Sequence, residues 1–238
     1  MFELNLNKGW GDAVLHRSSI RSYTAAPSDE QLRLLGEMCR KLSWQGITIR
    51  MFRGPGLRSV IKGTNVYAVI TAKKDTPMEI EGFMGEALVL EATSMGLGTC
   101  WLGAGFQMDV VSRNVNLQSD EVIHCVIALG QANLPTPSPK RRTLEAVCGK
   151  SADALKSLGV WQYNAVEFAR LAPSAINQQP WKIEADTNRI AILERTVLIR
   201  KYASLDRGIC MLHAAVGAAQ AGRKPVWKKI EGGYEMRA

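Results

Sequence analysis

The chain of 238 residues is long enough for one large domain or two small ones, and its 46% hydrophobic and 22% charged content excludes global disorder. No apolar run reaches the roughly 18 residues of a membrane helix, and the N-terminus lacks the apolar stretch of a signal peptide. Five scattered cysteines without a CxxC pair speak against a disulfide framework or zinc centre and for a reducing, cytoplasmic setting, while a net charge of +8 asks for an anionic partner.

The first predicted helix covers 28–42. Ser28 can cap it, Gln31 occupies the capping-box position, and Leu32, Leu35, Met38, Cys39 and Leu42 recur at helical spacing. Ile47 to Phe52 alternates as a strand does, a Gly/Pro loop follows at 53–56, and Val66 to Thr71 reads as a strongly apolar strand. Residues 81–95 form a helix apolar on most faces, which belongs between layers, and Gly96 and Gly98 are expected to end it. Val122 to Leu129 is a buried strand, with His124 as a hydrogen-bonded core residue. The proline-stiffened basic segment 134–142 is the natural join between two halves.

After the join the order of elements repeats. A helix is expected over 151–171, then a loop at 172–180 and two strands flanking the turn at 186–188. Asp206 is placed as the cap of a small-residue helix ending near Ala221, and a last strand lies near 225–230. Both halves read helix, strand, strand, helix, strand, the pattern of an internal duplication.

Four segments could carry chemistry. Arg17-Ser-Ser-Ile-Arg-Ser-Tyr23 can present guanidinium forks and hydroxyls to a phosphate, although by itself it reads first as a solvated stretch. Lys140-Arg-Arg142 is an ordinary linker cluster unless it joins the same phosphate. Gly96 to Phe106 holds four glycines, in a run that lets a backbone approach a flat ligand and equally makes a tight turn. Cys100 within it has no base nearby in sequence and reads as a packed thiol. Ala172 to Trp181 is an amide-rich loop that can hold a polar ligand or simply pin a turn. No GxGxxG, P-loop, GxSxG or HExxH occurs, the three histidines are isolated, and no metal site is suggested.

These four segments together resemble the FMN-dependent nitroreductase family. Arg17 to Tyr23 is similar to its opening RRSxRxF motif, and Gly96 to Gly103 to its glycine-rich turn. Lys140-Arg-Arg142 before Leu144-Glu145-Ala-Val147 is similar to its late K-x-R, and Pro173 to Trp181 to its PSxxNxQPW loop. The order departs from the family: the PSxxNxQPW loop is missing from its usual place near 41–46 and stands in the second half, which lacks RRSxRxF and the glycine-rich turn. Such complementary loss resembles a tandem fusion that folds as a pseudo-dimer and keeps one complete site.

The resemblance implies an α+β fold, a three-layer α-β-α sandwich duplicated within one chain, with lobes at 1–148 and 149–238. It implies FMN as cofactor, NAD(P)H as co-substrate, a small nitroaromatic or quinone-like electron acceptor, and a monomeric protein. Arg17, Ser18, Ser19, Lys140 and Arg142 would hold the phosphate, and Arg21 would face the N1/O2 edge of the flavin. Backbone N–H groups at Gly103 and Ala104 would face N5 and O4, and Pro173, Ser174, Ala175 and Asn177 would cover the cofactor. The family's asparagine before the second strand falls at Gly56, so that contact is expected to be lost. No side chain is expected to act as acid or base. Two other readings stay open: a flavin-binding protein without turnover, its site filled by Trp101 or Trp181, and a basic nucleic-acid-binding module.

Overall fold

The computed structural model describes residues 4–44, 46–133 and 140–237. The chain begins with helix α1 (Trp10–His16) and helix α2 (Asp29–Leu42), followed by strands β1 (Ile47–Arg53) and β2 (Val66–Lys73). Helix α3 (Met78–Ser94), strand β3 (Leu97–Leu102), helix α4 (Met108–Val115) and strand β4 (Glu121–Gln131) complete the first half. The second half contains helices α5 (Leu144–Cys148), α6 (Ala152–Leu158) and α7 (Val160–Leu171), then strands β5 (Trp181–Ala185) and β6 (Ile190–Glu194). Helix α8 (Ala203–Gln220) and strands β7 (Val226–Ile230) and β8 (Gly233–Arg237) end it. Among the described residues no helix is long and apolar enough to cross a membrane.

The expected α+β class holds. All neighbouring strands are antiparallel, and the two four-stranded sheets run β1-β2-β4-β3 and β5-β6-β8-β7. Both therefore follow the order first, second, fourth, third, and the repeat read from the sequence is present in the topology. Two compact units form around them: one comprises His16–Pro77 and Met84–Ser138, the other Met1–Leu15, Met78–Phe83 and Pro139–Ala238.

In the first-sheet unit, Ser28 and Gln31 form the expected reciprocal capping box on α2. Strand β2 is buried over seven of its eight residues. Its alternate residues Tyr67 and Val69 join Cys100, Leu102, Val126 and Ala128 in a core that Ile20, Tyr23, Leu57, Ile61 and Val111 cover. Gly96 does end α3 in the left-handed conformation, but Gly98 does not serve as a turn. It lies inside β3, where an added Cβ would press on Ile20 and Ala132 at 3.0 Å. The glycine-rich segment is thus mostly an extended strand, kept bare on one side so that a neighbouring chain segment can lie against it. His124 is half-buried rather than core, because its neighbours Ile123 and Cys125 point to the packed face.

In the second-sheet unit, the helix expected over 151–171 is two helices broken at Gly159, whose φ of 151° no side chain adopts comfortably. Helix α8 is buried over nearly all its length. Asp206 lies in its first turns and not at its cap, which is Tyr202. The first turns of α3 cross α8 at very short range: a Cβ on Gly82 would overlap the Leu205 carbonyl, and one on Gly208 the Glu79 carbonyl. Each glycine stands three residues after the residue whose carbonyl faces the other, so the contact is reciprocal, as in an isologous interface. Arg207 closes it by an ion pair to Glu79 at 2.6 Å.

The proline-rich join falls largely on residues 134–139, which lie outside the described residues; only 140–142 of it are described. Helices α1, α4 and α5 and strands β3 and β8 have no sequence counterpart. The β3–β4 connection of the first sheet contains α4, whereas β7 and β8 are joined by the tight turn Glu231-Gly232.

Candidate functional site

The first-sheet unit assembles the opening basic motif against the glycine-bearing strand. Residues 19–25 run along the sheet: Ser19 bridges to Thr99, Ile20 N–H donates to the Thr99 carbonyl at 2.8 Å, and Ala25 pairs with Gln131. This fixes Arg17 and Ser18 in buried positions and leaves Arg21 exposed. Arg17 lies 3.8 Å from Glu86 of α3, both side chains buried, and burial pulls the Arg17 pKa down against the raising effect of Glu86. The Glu86 carboxylate also accepts the Trp101 indole N–H at 2.8 Å. Gly103 and Ala104 follow β3 in a turn, the first half-buried and the second exposed.

Arg58, which the sequence reading passed over, belongs to the same neighbourhood. It lies against Gly105, and its loop is pinned to the motif through Lys62 N–H to the Arg21 carbonyl and Tyr23 N–H to the Lys62 carbonyl, both 2.9 Å. Arg21, Arg17 and Arg58 all act on Cys100. Arg21 and Arg58 form no ion pair among the described residues, in contrast to Arg33, Arg50, Arg113, Arg170, Arg189 and Arg207. Three cations from two segments are therefore seated near Cys100 of β3, and Arg17 among them is paired with the buried Glu86 carboxylate. The only sequence hint to Arg58 is the Gly-Pro-Gly bend before it.

Cys100 is the packed thiol expected. Burial pushes its pKa up despite the three arginines, and burial pushes Cys39 up to about 12. Both should stay unlabelled by iodoacetamide at pH 8 in the folded protein and react once urea unfolds it; mass mapping of the labelled peptides checks this.

The second-sheet unit holds the amide-rich loop, and it ties that loop to residues 140–142. The Asn177 amide donates to the Lys140 carbonyl at 2.9 Å and accepts from the Arg141 guanidinium at 2.8 Å. Gln179 accepts from Arg142 N–H at 2.9 Å. The loop is braced on itself by Gln179 N–H to the Ser174 hydroxyl at 2.8 Å, and on α8 by Ala175 N–H, which donates to both Asp206 oxygens at 3.1 and 3.0 Å. Asp206, expected as a helix cap, is instead a buried anchor for this loop. Pro173 is buried, Ser174 and Ala175 are half-buried, and Asn177 and Lys140 are exposed. Arg142 is half-buried, and its Nε is buried without a hydrogen-bond partner.

The loop carries strain. Ile176, Asn177 and Gln179 adopt φ of 45°, 59° and 51°, the left-handed region that β-branched residues avoid. Ile176 is nonetheless 73% exposed. Strain of about 1–3 kcal/mol per residue persists only where surrounding bonds over-determine it, and the hydrogen bonds of the loop to 140–142, to itself and to Asp206 supply that.

The structure thus brings the predicted residues together in two sets: Arg17, Ser18, Ser19, Arg21, Gly103 and Ala104 in one unit, and Lys140, Arg142, Pro173, Ser174, Ala175 and Asn177 in the other. The residue before β2 is Asn65, not Gly56, so an exposed asparagine does precede the second strand. Trp181 is fully buried in the core, and Trp101 is held by Glu86. Among the described residues no group of His, Cys, Asp and Glu could hold a metal ion.

Two antiparallel sheets of one strand order, with helices between their strands, define an α+β chain of nitroreductase type. A family model described as "Putative TM nitroreductase" matches residues 11–218, and the chain belongs to that family. Among solved structures it is similar to a "putative nitroreductase" from Thermotoga maritima MSB8, at 22% identity and TM-score 0.72, over 100% of this chain and 95% of that one. A nitroreductase of Desulfovibrio desulfuricans in complex with FMN matches at 20% identity and TM-score 0.46, over 60% of this chain and 96% of that one. A nitroreductase with bound FMN from Desulfitobacterium hafniense DCB-2 matches at 16% and 0.46, over 58% and 96%. No protein of curated function matches the chain.

Proposed function

We propose that the protein binds one FMN and passes hydride from NAD(P)H to a nitroaromatic or quinone-like acceptor. The observation that carries this reading is the seating of Arg17, Arg21 and Arg58 beside β3, through the Ser19–Thr99 bridge, the Lys62–Arg21 bond and the approach of Arg58 to Gly105, in a family of nitroreductase type. FMN fits such a donor set, because a phosphate and a ring edge that gains negative charge both need cations nearby, and Arg21 and Arg58 form no ion pair among the described residues. When bound, FMN supplies the hydride chemistry at N5.

The chain's own residues would then bind and orient. Arg17, Ser18, Ser19, Lys140 and Arg142 are the phosphate ligands, and the partnerless Nε of Arg142 favours an anion there. Arg21, with Arg58 beside it, stabilises negative charge on the ring. Gly103 and Ala104 offer backbone to the ring, and Pro173, Ser174, Ala175 and Asn177 form the braced loop over it. Asn65 is added to the set because it precedes β2. No acid or base is required of the protein, and the protein works as a cytoplasmic monomer. The bond of Trp101 to Glu86 supports a role for this indole as a wall of the site.

The test is a visible spectrum of the purified chain after incubation with FMN and removal of the excess. Stoichiometric flavin, bleached anaerobically by NADH or NADPH and recoloured by a quinone, is the expected result. Flavin that stays bound but is never bleached would reduce the reading to a flavin-binding protein without turnover. Absence of bound flavin would overturn it.

A further inference from the structure

We propose that the loop Arg195–Lys201 is the recognition element for an anionic, partly apolar co-substrate of the cofactor loop. This rests on the FMN reading above.

The loop is the sequence Arg-Thr-Val-Leu-Ile-Arg-Lys, which joins β6 to α8 and contains three cations and no acid. It is lashed to the amide-rich loop at three points. Arg195 N–H donates to the Pro180 carbonyl at 3.2 Å. The Gln178 side chain donates to the Ile199 carbonyl at 3.2 Å and accepts from Ile199 N–H at 3.0 Å. Such a paired amide–backbone contact copies one rung of a strand ladder, so whatever docks on one loop is registered against the other.

What the loop offers is unusual in two respects. Leu198 is 93% exposed and Ile199 39%, two adjacent apolar side chains at the surface. Arg195, Arg200 and Lys201 form no ion pair among the described residues, and Arg200 and Lys201 are exposed. Lys201 rests 5.3 Å above the Tyr202 ring. A ligand that uses all of this has a flat apolar part for Leu198 and Ile199 and a negative group for the cations. A bare anion would ignore the leucine, and a neutral quinone the arginine. The site therefore selects a charged aromatic, either the phosphorylated adenosine end of NADPH or an acceptor bearing a carboxylate or sulfonate.

The experiment uses the full chain loaded with FMN and calorimetric titration with two matched pairs: NADP⁺ against NAD⁺, and naphthoquinone sulfonate against naphthoquinone. The charged member of one pair should bind about fivefold more tightly, the scale of exposed charge contacts. The preference should vanish in Arg200→Gln/Lys201→Gln, and Leu198→Ser should weaken both members of that pair. Discrimination within the nucleotide pair assigns the loop to the hydride donor, and within the quinone pair to the acceptor. Equal binding within both pairs, or a preference that survives the double variant, overturns the proposal. Because bound FMN is read separately from the yellow colour, a protein that holds flavin but shows no charge preference sinks this inference alone. A colourless protein sinks the reading beneath it.

Discussion

Gly208→Ala should destabilise the protein by about 2 kcal/mol net, although an alanine in a helix is normally a gain. The favourable part is propensity, about 1 kcal/mol for replacing an interior helical glycine. The unfavourable part is steric. A Cβ on Gly208 would overlap the Glu79 carbonyl, which is backbone and cannot rotate away, so α3 and α8 must separate at an overpacking cost of about 3 kcal/mol. Gly82→Ala should behave alike, since it meets the Leu205 carbonyl. Gly36, in the middle of α2, is the control: only the far end of the Arg40 side chain lies near it, so Gly36→Ala should stabilise by up to about 1 kcal/mol. Urea midpoints of the three variants measure the contrast. If Gly208→Ala and Gly36→Ala shift the midpoint in the same direction, the close crossing is not what holds these helices.

Asn177→Ala should raise the FMN dissociation constant tenfold or more, although the side chain is spent on other protein groups. Its amide joins the Lys140 carbonyl and the Arg141 guanidinium to the loop. A hydrogen bond from a charged donor is worth about 1.5–3 kcal/mol, and about 1.4 kcal/mol is a factor of ten in affinity. Losing the clip would let residues 140–142 and 173–179 drift apart, and a cofactor that needs both would then bear the cost of ordering them. Asn177→Gly separates two causes. Glycine accepts the φ of 59° that alanine resists, so an affinity loss equal in both variants assigns the effect to the amide. Recovery in the glycine variant would assign it to backbone strain. Titration of FMN with circular dichroism on the same samples gives both quantities, and an unchanged dissociation constant in Asn177→Ala would remove the loop from the cofactor site.

Local patterns were readable where one short-range effect decides the structure. The capping box at Ser28 and Gln31 and the apolar run of β2 are of that kind. The duplication was readable as an order of elements, and the strand order of the two sheets repeats it. The errors arise where a distant contact overrides a local signal. Gly98 looked like a turn because glycine usually marks one, but its lack of a side chain serves the approach of Ile20. Asp206 looked like a cap because acids favour helix starts, yet its carboxylate is turned to Ala175, far away in sequence. Helix α4 is only eight residues long and has no side-chain cap at Gln107, so neither its length nor its start gave a local signal. At the candidate site, motifs pointed to Arg17, Arg21 and Asn177. They could not reveal that Arg141 and Gln179 knit 140–142 to the loop, because such pairings cross more than thirty residues.

The unequal connections in the two halves have a consequence for how this protein can change. Between α2 and β1 the chain spends four residues, whereas nine separate α7 from β5. In a symmetric homodimer every substitution is made twice, so a loop improved for one purpose is altered everywhere it occurs. Here each half is encoded once. The braced loop at 172–180 could grow while its counterpart shrank, and α4 could be inserted on one side alone. Specialisation of this kind is closed to a protein built from two identical copies.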